Sequence, residues 1–119
     1  MAVITLTTDL GHKDFYQAAL KGSLLTQLSD VNIVDITHEI PAFNIPRAAF
    51  VLGNAYHYFP KGTVHIIGIN TLFHEESKYI GMKYKDHYFV GADNGIFSLL
   101  LNGNEPQELY ELNLMQDLR

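Results

Sequence analysis

Three short apolar runs that alternate with helical segments constrain the fold of this chain more than any other feature. They are Val3 to Leu6, Asn32 to Thr37 and Thr63 to Ile69. Runs of this length, bounded by polar and turn-forming residues, are typical of buried strands. The third run is the most continuous, which predicts a central strand covered on both faces of its sheet.

The segment from Phe15 to Leu28 is predicted to form the first helix. Asp14 is its predicted N-cap. Gly22 costs about 1 kcal/mol relative to alanine inside a helix, a cost that close packing of another backbone would explain. The apolar positions that recur at helical spacing are Ala18, Ala19, Leu25 and Leu28.

A second helix is predicted between Asn44 and Pro60. Asn44 is its N-cap, and Pro46 lies in the first turn, where the missing N–H costs nothing. Its predicted apolar face consists of Ala48, Val51, Leu52, Ala55 and Tyr58.

The last third of the chain predicts antiparallel structure. Lys85-Asp86 separates Tyr79–Tyr84 from His87–Val90, the pattern of a β-hairpin, and a last strand is expected near Leu109 to Leu112. The order β-α-β-α-β followed by antiparallel strands predicts an α/β fold, with a mainly parallel sheet, helices on its faces and an antiparallel extension, in a Rossmann-like three-layer arrangement. We expect residues 1–119 to form a single domain.

Composition excludes several classes of function. Eight Lys and Arg against 13 Asp and Glu give a net charge of −5, which argues against binding nucleic acid by neutralising phosphates. The absence of cysteine excludes disulfides, thiolate nucleophiles and Cys-ligated zinc. No stretch resembles a signal peptide or approaches the ~20 apolar residues of a spanning helix. We expect a cytoplasmic protein with a small-molecule partner and with neither a nucleic acid nor a membrane as partner.

Two carboxylates stand where chemistry is expected in a parallel sheet, whose ligands bind beyond the carboxyl ends of the strands. Asp9 follows the first run beside Gly11, and its carboxylate can accept two hydrogen bonds from a ribose. A turn or helix-capping role is the alternative for Asp9. Asp35 alternates with apolar neighbours within a strand, where a structural carboxylate satisfied by backbone donors is favoured.

Six histidines near carboxylates raise the question of a metal site. A metal-dependent phosphoesterase could be built on Asp9, His12, Asp14 and His38, but the chain has no His-x-x-x-His spacing. It also has no dinucleotide-binding, P-loop or nucleophile-elbow motif. The histidine spacing therefore gives only weak support to a metal site. A structural role is favoured for His57, His65 and His87.

Several longer motifs together resemble one enzyme family. They are Thr7-Thr8-Asp9-Leu10-Gly11 with Asp14, Tyr16 and Leu20-Lys21-Gly22, then Ile33-Val34-Asp35-Ile36-Thr37-His38, then Tyr58-Phe59-Pro60-Lys61-Gly62-Thr63-Val64-His65, and Gly91-Ala92-Asp93-Asn94-Gly95. In this order they resemble the N-terminal domain of the S-adenosylmethionine hydroxide adenosyltransferases, relatives of fluorinating and chlorinating enzymes. The family resemblance covers nearly the whole chain. It implies that a C-terminal β domain, absent from these 119 residues, follows this nucleoside-binding domain, and that the site forms between subunits of a homotrimer.

The resemblance implies a reaction at C5′ of S-adenosylmethionine, in which water or hydroxide displaces methionine and leaves adenosine. Because the sulfonium is already a good leaving group, the protein mainly fixes the ribose and aligns the nucleophile. The resemblance therefore implies a reaction with no metal and no organic cofactor. By the resemblance, Asp9 would hold the ribose hydroxyls, Phe43 would lie against the nucleoside, and Asp14 and Tyr16 would border the pocket. Asn94 matches a residue in a turn of the family. A structural role for Asn94 is at least as well supported as a role in the site.

One segment departs from the family pattern. Hydroxide-using members read Val-Asp-Pro-Gly-Val-Gly followed shortly by Arg, whereas this chain has Asn70 at the Asp position and Ser77 or Lys78 at the Arg position. These three are the expected catalytic residues, Thr71 is an expected substrate contact, and the family's water-positioning His would lie beyond residue 119. A nucleoside-binding relative that has lost catalysis is the alternative, and we expect residues 1–119 by themselves to be inactive.

Overall fold

The computed structural model describes residues 2–12, 14–69 and 78–112. Within these ranges the three apolar runs, the hairpin and the last strand are all confirmed as strands. The elements are β1 Ala2–Thr8, α1 Tyr16–Gln27, β2 Val31–Thr37, α2 Ile45–Ala55, β3 Val64–Gly68, β4 Tyr79–Tyr84, β5 His87–Ala92, α3 Ile96–Leu101 and β6 Glu108–Leu112, with a 3-10 turn at Tyr56–Tyr58 after α2.

The described strands form one sheet in the order β2-β1-β3-β5-β4-β6. Strands β2, β1, β3 and β5 are parallel, whereas β4 is antiparallel to both β5 and β6. The third apolar run is therefore central, as predicted. The predicted α/β fold, mainly parallel with an antiparallel extension, is confirmed.

Helices α1 and α2 lie on opposite faces of the sheet. The connection from β1 through α1 leads outward to β2, and the connection through α2 returns across β1 to β3. Because such crossovers are right-handed, a reversal of direction places the two helices on opposite faces. The main apolar core lies on the face of α2 and α3 and includes Ile40, Ala48, Leu52, Tyr56, Ile67, Ile69, Met82, Phe89, Ile96 and Phe97.

Helix α1 is confirmed, but its predicted cap and its predicted buried face are wrong. Its N-cap position is Phe15, no side chain caps the first turn, and Asp14 adopts a left-handed φ of +63°. A Cβ added at Gly22 would meet nothing within 4 Å, so no backbone from the described part of the chain packs closely there. The predicted apolar positions, Ala18, Ala19, Leu25 and Leu28, are all exposed. Helical spacing determines which residues share a stripe, whereas burial of that stripe depends on what packs against it.

Helix α2 follows the sequence prediction at its start and differs at its end. Asn44 Oδ1 accepts a hydrogen bond from the Arg47 N–H at 3.0 Å, which confirms the predicted cap. After Ala55 the chain tightens into the 3-10 turn, whose residues advance by about 120° rather than 100°. Tyr56, four residues after the buried Leu52, is buried at the start of this turn, and the predicted core position Tyr58 is wrong because its side chain is 82% exposed.

Two buried histidines are hydrogen-bonded to each other on the face of the sheet that α2 covers. His65 Nδ1 lies 2.6 Å from Thr5 Oγ1, and His65 Nε2 lies 3.0 Å from His87 Nδ1. The His65 ring stacks on Phe89 with ring centroids 5.0 Å apart. The predicted structural role of these two histidines is confirmed, whereas His57 is exposed.

Candidate active site

Backbone hydrogen bonds join the segments that follow β1, β2 and β3 at the carboxyl edge of the sheet. The Gly11 N–H donates to the His38 carbonyl at 2.7 Å, and the Asp9 N–H donates to the Gly68 carbonyl at 3.3 Å. Gly11 has a φ of +72°, which favours glycine at this turn. Asp9 is therefore held at the edge where ligands of parallel sheets bind.

The described substrate-binding candidates lie in loops or at a helix start near this edge. Asp9 is half-buried directly after β1, and Asp14 is exposed in the loop before α1. Tyr16, the first residue of α1, is 54% exposed and stacks on Phe15 with centroids 4.9 Å apart. Phe43 is 64% exposed in the loop before α2. The rings of Tyr16 and Phe43 are therefore accessible to a ligand, and contact of these rings with a ligand stays a prediction.

Three of the remaining candidates, Asn70, Thr71 and Ser77, lie outside the described residues. Lys78 is described and is exposed immediately before β4. Its carbonyl accepts a hydrogen bond from the Asp93 N–H at 2.8 Å, and the following residue, Tyr79, pairs with Ala92 at the end of β5. Lys78 is thus at the same edge of the sheet. It lines a cleft of about 230 Å³ with Ile80, Asp93, Leu109, Tyr110 and Glu111.

Asn94 has a structural role in the turn before α3. Its Nδ2 donates to the Ile69 carbonyl at 3.3 Å, and its Oδ1 accepts from the Ile96 N–H at 3.3 Å. The side chain thereby ties the residue after β3 to the start of α3.

A row of side-chain hydrogen bonds connects α1 to the end of β1. Lys21 Nζ lies 2.5 Å from Asp35 Oδ2, Asp35 Oδ1 lies 2.8 Å from His38 Nε2, and His38 Nδ1 lies 2.6 Å from Thr8 Oγ1. Burial raises the pKa of Asp35, but the hydrogen bonds from Lys21 and His38 outweigh it and hold that pKa below its ordinary value. The sequence predicted a structural Asp35 correctly but assigned it backbone donors, whereas its partners here are side chains.

This arrangement does not favour a metal-dependent phosphoesterase. His38 is buried and uses both ring nitrogens on Asp35 and Thr8, whereas His12 is exposed and pairs with Glu39 at 3.1 Å. Within residues 2–12, 14–69 and 78–112, no group of three or more His, Asp or Glu side chains is arranged to hold a metal ion.

Sequence reasoning missed Thr8 and Lys21 as members of this row. Thr8 lies 30 residues from His38, and Lys21 lies 14 residues from Asp35. The available signal was the spacing of Asp35 and His38, which places a charged and a polar side chain at the end of one strand. Their partners come from other elements, and only the packing of α1 and β1 beside β2 identifies them.

A larger cleft of about 700 Å³ lies at the opposite, amino-terminal edge of the sheet. It is lined by Gly53, Tyr56, His57, Phe59, Lys61, Lys85 and His87. Ligands of parallel sheets bind at the other edge, so this cleft is not the candidate active site.

The resemblance seen in the motifs is confirmed by comparison with known proteins. The SAM hydroxide adenosyltransferase N-terminal domain matches residues 4–118, and the chain belongs to this family. A Methanocaldococcus jannaschii protein named (R)-S-adenosyl-L-methionine hydrolase is 44% identical over 81% of this chain and 38% of its own length. A fluorinase of Actinopolyspora mzabensis is 32% identical over 52% of this chain and 21% of its own length.

The fold is also found in a solved structure. The crystal structure of an uncharacterized conserved protein from Thermotoga maritima superposes with a TM-score of 0.82 at 34% identity, covering 92% of this chain and 41% of that one. The chain thus spans less than half the length of each of these three proteins. No helix of the described residues is long and apolar enough to cross a membrane.

Proposed function

We propose that this chain is the nucleoside-binding domain of an enzyme that hydrolyses S-adenosylmethionine. A water oxygen attacks C5′, the C5′–S bond breaks with its electrons going to sulfur, and one proton is released as adenosine and methionine form. One observation carries the proposal: the 44% identity to a protein named (R)-S-adenosyl-L-methionine hydrolase. The position of Asp9 at the carboxyl edge of the sheet is consistent with it. The reaction needs no metal or organic cofactor.

The proposed substrate contacts follow the family resemblance. Asp9 accepts hydrogen bonds from the ribose hydroxyls, and charge-assisted hydrogen bonds of this kind contribute roughly 1.5–3 kcal/mol. The exposed ring of Phe43 lies against the nucleoside. Asp14 and Tyr16 border the pocket at the start of α1, and Thr71 is the remaining contact.

The proposed water-positioning set is unusual for the family. Asn70 stands at the position of the family's Asp, and Ser77 or Lys78 stands at the position of its Arg. An amide orients water through hydrogen bonds but does not act as its base. We therefore expect hydrolysis by this protein to be slow relative to family members that have the Asp and the Arg.

The proposed assembly is a homotrimer in the cytoplasm, completed by a C-terminal β domain. In the resembled architecture, the second domain of a neighbouring subunit closes the pocket and excludes water. Residues 1–119 alone would leave the nucleoside face open, so desolvation and alignment of the nucleophile would be incomplete. We expect this fragment to fold and to bind nucleosides weakly, without turnover.

Incubation of the complete protein with S-adenosylmethionine tests the proposal. Chromatography separates adenosine from 5′-chloroadenosine, so parallel reactions with and without chloride identify the nucleophile. We expect slow, Asp9-dependent formation of adenosine in both. Nucleoside binding without any product would identify a relative that has lost catalysis. Chloroadenosine as the main product would show that the nucleophile is a halide rather than water.

A further inference from the structure

The hydroxyl of Thr8 shapes the turn that carries Asp9. The Leu10 N–H donates to Thr8 Oγ1 at 3.2 Å, which closes a Thr-initiated turn with Asp9 as its middle residue. Thr8 is completely buried. The turn from which the Asp9 side chain projects is therefore closed by a hydroxyl that solvent does not reach.

His38 fixes the direction of that hydroxyl. The ionised Asp35 carboxylate can only accept, so His38 Nε2–H donates to Asp35 at 2.8 Å. In the neutral imidazole, Nδ1 is then an acceptor, and the Thr8 O–H donates to it at 2.6 Å. The lone pairs of Thr8 Oγ1 stay available for the Leu10 N–H, so in this tautomer the carboxylate sets the direction of both hydrogen bonds made by the His38 ring.

Helix α1 supports the row from its far end. Lys21 Nζ donates to Asp35 Oδ2 at 2.5 Å and to Gln17 Oε1 at 3.1 Å. Gln17 Nε2 in turn donates to the Gly11 carbonyl at 3.4 Å. The turn around Asp9 is thereby held at two points, the hydroxyl of Thr8 and the backbone carbonyl of Gly11.

We propose that His38 is a positioning residue for ribose recognition, which through Thr8 directs Asp9 toward the 2′- and 3′-hydroxyls of the nucleoside. The inference rests on the proposed function, because it takes Asp9 as the acceptor of these hydroxyls. It makes a specific claim: loss of the row weakens recognition of the hydroxyls and leaves recognition of the rest of the nucleoside unchanged.

The test compares the affinities of adenosine and 2′,3′-dideoxyadenosine, measured by calorimetry on the complete protein. Thr8→Val removes the hydroxyl at nearly constant shape, and Thr8→Ser keeps it. His38→Gln interrupts the row at its centre, while His57→Gln removes an exposed histidine from the opposite edge and serves as the control. We expect Thr8→Val and His38→Gln to lose roughly tenfold in affinity for adenosine, with the affinity for dideoxyadenosine unchanged. Thr8→Ser and the control should match the wild type for both nucleosides.

The outcomes separate the inference from the function on which it rests. An equal loss for both nucleosides in Thr8→Val and His38→Gln would show a general structural role and overturn the inference, as would no loss for either. The proposed role of Asp9 would stand in both cases if the wild type prefers adenosine. A wild type that binds the two nucleosides equally, or binds neither, contradicts the proposed function itself and the inference with it.

Discussion

Acidification should destabilise the folded chain through His65. This side chain is completely buried between Thr5 and His87 and stacks on Phe89. Burial, with a smaller contribution from the neighbouring His87, lowers the pKa of His65 from 6.5 to about 4. The folded chain therefore binds fewer protons than the unfolded chain between these two pH values.

The sign and size of the effect follow from linkage. Because the folded pKa is the lower one, the contribution of His65 to stability is fully present above pH 6.5 and is lost as the pH falls. One pKa unit corresponds to about 1.4 kcal/mol, so the shift from 6.5 to about 4 implies a loss of about 3 kcal/mol by pH 4. Such a loss is a large part of the stability of a typical domain.

Urea unfolding at a series of pH values measures this contribution. The chain has no tryptophan, so circular dichroism is the suitable signal. His65→Gln removes the titrating group while keeping an amide in reach of its partners, and His57→Gln controls for loss of an exposed histidine. Between pH 7.5 and 4, the free energy of unfolding should fall about 3 kcal/mol further in the wild type than in His65→Gln. Parallel pH dependence of these two proteins would refute the reasoning.

Four further substitutions test other parts of the protein. Asp9→Ala should weaken adenosine binding on the order of ten- to a hundredfold, and unchanged affinity in a folded variant contradicts its role as ribose acceptor. Asn70→Asp should raise the proposed rate of S-adenosylmethionine hydrolysis, since it places a carboxylate at the position proposed to orient the water; a wild-type rate already typical of the family would show that another group compensates. Gly22→Ala should raise the free energy of unfolding by up to about 1 kcal/mol, because a Cβ there meets nothing within 4 Å. Gly81→Ala should lower it, because its Cβ would lie 2.5 Å from an atom of the Tyr110 ring, and equal effects of the two glycine substitutions would contradict the packing seen around them.

The sequence by itself determined the elements whose signals are local. The hairpin at Lys85-Asp86 was predictable because two residues between strand patterns select a tight turn, and both residues indeed have positive φ values of 50° and 65°. Asn44 was recognisable as a cap because its partner, the Arg47 N–H, lies only three residues ahead. The order of these elements was then enough to predict a mainly parallel sheet, since right-handed crossovers leave few arrangements.

Only the tertiary structure decided which side chains meet across elements. Tyr56 rather than Tyr58 enters the core. Both tyrosines flank the apolar face of α2, and only the packing of the helix against the sheet decides which side of that face is buried. The contact of His38 with Thr8 joins residues 30 positions apart in the chain. Hydrogen-bond partners at such separations depend on how neighbouring strands align, and local propensity contains no information about that alignment. The position of Asp9 could thus be predicted from the sequence, whereas the row of side chains behind it required the assembled sheet.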